Sequence, residues 1–390
     1  MLHHFPHHRP GLWSHAKPGR ASTTHKVFRR RQAVHQVLTG AGSNASVRGH
    51  STSVAELGTW RDDEPILSFV AGSSEHQDQL LLHENVVEAI NMVAIATGGP
   101  LRASPTRHAP SGKLVAQSQD GASTYVLRTY TGGAIQHMNT TVGVVPAFGL
   151  IYAKVTCHAA MDKGTPFLDV ELTGIKGKGV LVCCLPSPRL SWLLHPDYLK
   201  KYWRTAVTLT PPSPFWPMEQ VSSSSSSGSA AAPTETLSFE ELERRVRSRM
   251  PAPSGFSAPP PPPPGTPPPP PPVYNDFHSA SLYTRLASAP GFLFTFDPAK
   301  HAALEAARSD VGAVLSFWKH WVVSDSAGES LQGRDLEECR AITGAAACFL
   351  QFDPDVGRVE QQLGKETVGK MLETVSGEAS LAGPPWWKDA

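Results

Sequence analysis

Cysteine is the first residue type to test for chemistry. The five present, Cys157, Cys183, Cys184, Cys339 and Cys348, are odd in number and form no C-x-x-C pair. No disulfide framework, zinc site or iron–sulfur ligand set is therefore spelled out. They read as ordinary buried thiols of a reducing compartment, and no metal centre is expected. The fingerprints of nucleotide sites, serine hydrolases and zinc proteases (G-x-G-x-x-G, G-x-x-x-x-G-K-[ST], G-x-S-x-G, H-E-x-x-H) are missing as well. What remains is carboxylate and cation chemistry. Asp169, Glu171 and Thr173 alternate with Leu168, Val170 and Leu172, so a strand here carries one polar face, which spacing alone would leave to solvent. Asp353 and Asp355 stand in an Asp-Pro-Asp phrase, a common turn. Arg128 lies in another extended run, and Lys176, Lys178, Lys200, Lys201 and Arg204 crowd a short stretch.

The elements that must position these residues are readable from periodicity. Between Glu75 and Ala94, Leu80, Leu81, Val86, Val87, Ile90 and Val93 recur at helical spacing behind Ser73 and Ser74 as caps. Residues 97–122 are rich in Gly, Pro and Ser and read as a loop. Five β-branched runs follow: Thr124–Tyr130, Ile135–Val145, Leu150–Cys157, Phe167–Ile175 and Gly179–Leu185, with a sixth at Phe292–Phe296. Their short connections leave no room for crossover helices, so the sheet should be an antiparallel meander. Helices are expected at His195–Arg204, with Pro196 in the first turn, and at Pro298–Val323, with Leu304, Val311, Val314, Leu315, Trp318 and Val322 inward. Two more are expected near 329–345 and 365–375. The fold class is α+β, a single antiparallel sheet of about six strands sandwiched between helices.

Charge and composition divide the chain. Residues 1–55 hold eight Lys or Arg and no Asp or Glu, which leaves 27 cations against 34 anions in the remainder. An acidic body argues against nucleic acid as the main partner, while the basic, Ser-rich start has the composition of an organelle transit peptide. Eight histidines in that region are irregularly spaced and read as a solvated tail. The runs Ser222–Ser227, Pro259–Pro264 and Pro267–Pro272 mark 207–275 as a disordered surface insertion carrying one charged helix at Phe239–Arg249. No apolar run approaches the ~18 residues that span a bilayer, so no transmembrane segment is expected.

Two stretches resemble a known family. LDVELTGIKGKGVLVCCLPSPRLSWLLHPDYLKKYW (168–203) is similar to the red chlorophyll catabolite reductases, which carry a strand ending VEL, a second ending LP and the phrase NPDYLKEYY; LYTRLASAPGFLFTFD (282–297) resembles their LFVRSAFSP and last strand. The helix at 67–94 falls where that family has its first. The resemblance implies a fold like the ferredoxin-dependent bilin reductases, divided here into 56–206 and 276–380 around the insertion, with substrate between the sheet and the C-terminal helices. It implies no bound cofactor, reduced ferredoxin as electron donor, and reduction of red chlorophyll catabolite, a linear tetrapyrrole, at its C20/C1 double bond to the primary fluorescent catabolite, in the chloroplast stroma. Other chlorophyll-degradation enzymes are further candidate partners.

Residue by residue, Glu171 matches the glutamate of VEL and is the candidate proton donor, a carboxyl expected to be kept protonated by an apolar pocket. The family's second carboxylate falls on Asp353 by pattern or on Asp355 by spacing. Arg285, on the family's VR position, is the candidate partner of a substrate propionate, with Arg128 a second, and Ser288 takes a position that faces substrate. Lys176, Lys178, Lys200, Lys201 and Arg204 are expected to form one docking surface for acidic ferredoxin. The alternatives are a non-catalytic bilin-binding or interaction protein, whose polyproline would recruit partners, and a reductase acting on biliverdin-type substrates.

Overall fold

The structure, a computed structural model, describes residues 57–209, 235–251, 272–276, 292–349 and 354–381, and of 345–349, 354–355 and 376–381 the backbone only. The six expected strands form, as β3 (Thr124–Gly132), β4 (Ile135–Val145), β5 (Leu150–Ala159), β6 (Phe167–Ile175), β7 (Gly179–Ser187) and β11 (Phe292–Phe296). Three short strands extend the sheet. β1 (Arg102–Ala103) and β2 (Lys113–Gln117) come from the stretch expected as loop, and β10 (Asn275–Asp276) caps the far edge. The order is β1-β3-β4-β5-β6-β7-β11-β10 with β2 also on β3, and every pairing is antiparallel. Pairing with β3, which a local pattern cannot report, is what makes strands of β1 and β2.

One face of the sheet is mostly apolar. Val142 and Val144, Ala153 and Val155, Val170 and Leu172, Val182 and Cys184, and Phe292 and Phe294 are all buried on it. It is covered by α2 (Ser74–Ala96), which follows the short α1 (Glu64–Val70), and by α5 (His301–Ser326). Ser73 caps α2 by accepting from the His76 N–H. Five of the six expected apolar residues of α2 are buried, while Leu81 is exposed. Gln79 reaches the sheet itself, donating to the carbonyls of Leu172 and Ile151. The side chain passes where only Gly174 leaves room, since a Cβ there would lie 2.0 Å from Gln79 Oε1.

The described parts of 207–275 belong to the core and not to a surface insertion. Among them, β8 (Val207–Leu209) pairs with β9 (Glu235–Leu237), and α4 (Phe239–Ser248) buries Phe239, Leu242 and Val246 in the same core as the sheet. Phe239 meets Trp203, Phe292, Phe317 and Trp321 with ring centroids 5.4–5.8 Å apart. Asp310 on α5 is fully buried and accepts both oxygens' bonds from Arg249 Nη1 at 2.6 Å, with the Tyr274 hydroxyl at 2.7 Å. The polyproline and serine composition hid three pieces of core.

The helix expected at His195–Arg204 forms as α3 (Pro196–Leu199) and continues as a π-helical turn, Lys200–Arg204, closed by Thr205 N–H to Lys200 C=O. Its family-like phrase is an anchor. The Tyr198 hydroxyl joins the Arg189 N–H to the Gly164 carbonyl, and the Tyr202 hydroxyl and Lys201 both bind Asp325 at 2.6 Å. The last helices are α6 (Gly333–Phe349), α7 (Pro354–Leu363) and α8 (Lys365–Leu381). Of these, α7 lies in the gap left between the two expected helices. No described helix is long and apolar enough to cross a membrane.

Burial on α2 leaves a pH signature. His83, on its buried side, has its pKa pushed down to about 4, chiefly because burial disfavours the imidazolium. Burial moves His76 and His137 in the same direction. The unfolded chain takes up these protons near pH 6.5 and the folded one only below it, so stability is complete above that value and is lost as pH falls toward 4. His83 alone should lower stability by about 2 kcal/mol between pH 7 and pH 5. Urea unfolding should show a lower midpoint at pH 5, and His83→Leu should remove much of the difference. An unchanged midpoint in the parent would contradict it.

Candidate functional site

The opposite face of the sheet is polar at its centre. Strand register sets Lys154 on β5 beside Glu171 on β6, and Thr156 beside Asp169, with Thr173, Cys183 and Asn139 on the same side. Lys154 Nζ lies 3.8 Å from Asp169 Oδ1 and 3.9 Å from Glu171 Oε2. The Thr156 hydroxyl donates to Asp169 at 2.5 Å, and that of Thr173 donates to Glu171 at 3.2 Å. Lys154, Asp169 and Glu171 are 18%, 19% and 26% exposed, partly covered and still within reach of a ligand.

Helices frame this floor. Over β2 and β3, Leu363 of α7 and Val368 and Met371 of α8 close an apolar cluster with Ala116, Tyr125 and Leu127. The Val375 carbonyl of α8 receives Asn139 Nδ2 at 2.9 Å and His137 Nε2 at 3.1 Å, which ties α8 to β4. At the other end, α6 is held by Glu338, which accepts from the Ser191 N–H and pairs with His195, and by Cys339 Sγ on the Met161 carbonyl. Those bonds hold the Glu338 carboxyl below the usual carboxylate range. Between α6 and α8 the polar floor offers a cation shared by two carboxylates, an arrangement able to hold and pass a proton.

Glu171 is thus on the floor, but its neighbours differ from the apolar pocket expected. A lysine and a threonine hydroxyl stand beside it. Asp355 opens α7, and only its backbone is described. Asp353, Arg285 and Ser288 lie outside the described residues. Arg128 is on the face of the sheet opposite Glu171. It pairs with Thr140 of β4, one residue out of step with the Glu171 side, and its Nη2 binds Asp63 Oδ2 at 2.6 Å and the Thr59 carbonyl at 3.0 Å. There it anchors the segment before α1.

The five expected docking cations do not form one surface. Lys176 and Lys178 are exposed in the β6–β7 turn, whereas Lys201 binds Asp325, which also receives the Thr165 hydroxyl just before β6 begins. The length of β6, about 30 Å at ~3.3 Å per residue, separates the two groups. Lys201 is committed to a buried carboxylate, while Lys200 and Arg204 are exposed, Arg204 lying 4.0 Å from Glu240.

Lys154, His137 and His158 went unmarked by sequence reasoning, and Asp169 was placed on the polar strand face without a role. The alternation that marks Glu171 marks Asp169 as well; Lys154 needs the β5–β6 register. The four cysteines whose side chains are described are free thiols, with Cys157, Cys184 and Cys339 buried. Burial raises the pKa of all four. Among the described residues no group of three or more His, Cys, Asp or Glu could hold a metal ion.

No protein-family model matches the chain, and no curated protein does. Among solved structures, that of selenomethionine phytochromobilin synthase from tomato in complex with biliverdin aligns over 76% of this chain and 82% of its own, with 11% identity and a TM-score of 0.45. At that level neither ancestry nor activity is carried across.

Proposed function

We propose that this chain is a ferredoxin-dependent oxidoreductase of the chloroplast stroma that reduces an open-chain tetrapyrrole, red chlorophyll catabolite, to the primary fluorescent catabolite. The observation that carries the reading is the position of Glu171. The residue that the VEL phrase singles out lies on the face framed by the C-terminal helices, 3.9 Å from Lys154, where the resemblance would have a substrate sit. Arg128, the second candidate for a propionate contact, does not.

Reduction of one double bond takes two electrons and two protons. Ferredoxin supplies the electrons singly, so the chain's part is to hold the pigment still and to protonate the radical on one face. Glu171, taking up a proton as the bound pigment excludes water from the floor, is the donor toward the ligand side. Lys154, between Glu171 and Asp169, carries a proton that can replace the one given up. Neither a flavin nor a metal is needed, and the purified protein is expected to be colourless. Residues 1–55 are then a transit peptide. Ferredoxin, being acidic, meets either Lys176 and Lys178 or Lys200 and Arg204. Charge reversal at each pair in turn identifies the end used.

An anaerobic assay with chemically reduced ferredoxin tests the proposal against its alternatives. Fluorescent product from red chlorophyll catabolite is expected. Turnover of biliverdin alone would move the substrate to the biliverdin type. Binding without turnover would make the protein a bilin carrier, and neither binding nor turnover would end the reading.

A further inference from the structure

Arg189 is fully buried, yet among the described residues no carboxylate pairs with its guanidinium. Its Nη1 donates to the Ala160 carbonyl at 3.3 Å and its Nη2 meets His158 Nδ1 at 3.4 Å, both at the long limit of a hydrogen bond, while Nε has no partner. A buried cation without a counter-ion is costly, and chains seldom keep one unless something supplies the charge. Burial pulls the Arg189 pKa down. It also keeps His158 neutral, with Arg189 and then His137 adding to the effect. The other titratable side chains beside Arg189 are Cys339 of α6, which shares a side-chain hydrogen bond with it, Tyr198 and Cys157, and burial keeps all three protonated.

The position is informative. His158 lies on the floor's side of β5, four residues along the strand from Lys154, a separation of about 13 Å. Its ring stacks on Phe167 at 5.3 Å and lies 6.3 Å from His137. His158 is only half-buried, so the guanidinium is one side chain below the floor. None of its bonds, to the Ala160 carbonyl, His158 and Cys339, is to a carboxylate, so they give up little when it turns.

We propose that Arg189, with His158 as the movable side chain over it, forms a carboxylate-receiving subsite at the α6 end of the floor. It would take a propionate-like arm of the ligand whose reacting part lies at Glu171. This rests on the tetrapyrrole reading and deepens it. A planar fork suits a carboxylate better than a lysine would.

The probes are biliverdin and its dimethyl ester, which differ only in the carboxylates. The parent protein should bind the acid at least tenfold more tightly than the ester, and Arg189→Met should bind both alike. No gap in the parent, or an undiminished gap in Arg189→Met, would overturn the subsite. Should Arg189→Met not fold, Arg189→Lys decides: a reduced gap supports the subsite and an unchanged one overturns it. If neither pigment binds the parent, the tetrapyrrole reading rests on the red chlorophyll catabolite assay, and sodium propionate against sodium chloride at equal ionic strength judges the subsite alone. Thermal stabilisation by propionate lost in the variant would uphold it, and none in the parent would overturn it.

Discussion

Glu171→Gln should lower turnover of red chlorophyll catabolite by roughly 10²–10⁴, the usual contribution of a positioned general acid, while pigment affinity changes far less. The amide keeps the shape of the side chain and can still accept from the Thr173 hydroxyl, which lies 3.2 Å from the carboxylate, but it has no proton to give. The effect must be read with reduced ferredoxin in excess, so that electron delivery is not limiting, and with melting temperature checked. Asp169→Asn tests the neighbouring carboxylate on the same lysine; as a replenishing group it should slow turnover less than Glu171→Gln does. Of Asp353→Asn and Asp355→Asn, one should behave as Glu171→Gln does and the other should not. Near-normal turnover in Glu171→Gln would leave the glutamate as a polar surface residue.

Asp310→Ala should cost about 3–5 kcal/mol, the range found when one partner is removed from a buried ion pair. Arg249 and Tyr274 both direct their donors at this fully buried carboxylate. They arrive from opposite ends of a stretch whose composition argues for disorder. Phe239→Ala should cost a similar ~3–5 kcal/mol, because an aromatic ring is lost from among four others. Against a typical total stability of about 5–15 kcal/mol, either change is severe. Joining residue 206 to 276 through a Gly/Ser bridge should therefore abolish cooperative unfolding in urea. A sharp transition near the parent midpoint would show that α4 and its neighbours are dispensable.

Much of the sheet could be read directly. The bounds of β4, β6 and β11 match their β-branched runs residue for residue, since alternation and turn residues are local signals. The inward set of α5 was equally legible, with all six expected residues buried. A local signal was also available for α4. Phe239, Leu242 and Val246 stand at i, i+3 and i+7 behind a Ser238–Glu241 capping box, but proline and serine on either side outweighed it.

Sequence alone determined which side chains share a strand face: Asp169, Glu171 and Thr173 on one side, Leu168, Val170 and Leu172 on the other. Those assignments follow from the two-residue period of a single extended chain. Register and the cover over each face were decided only by the tertiary structure. Pairing β5 with β6 brought Lys154 to both carboxylates, and the β3–β4 register put Arg128 behind the sheet. The length of β6 parted lysines that stand close in sequence. Arg189 looks like any loop arginine until β5 and α6 close around it. Each of these outcomes depends on free energy gained between distant segments, and a slip of one residue would reverse every face assignment.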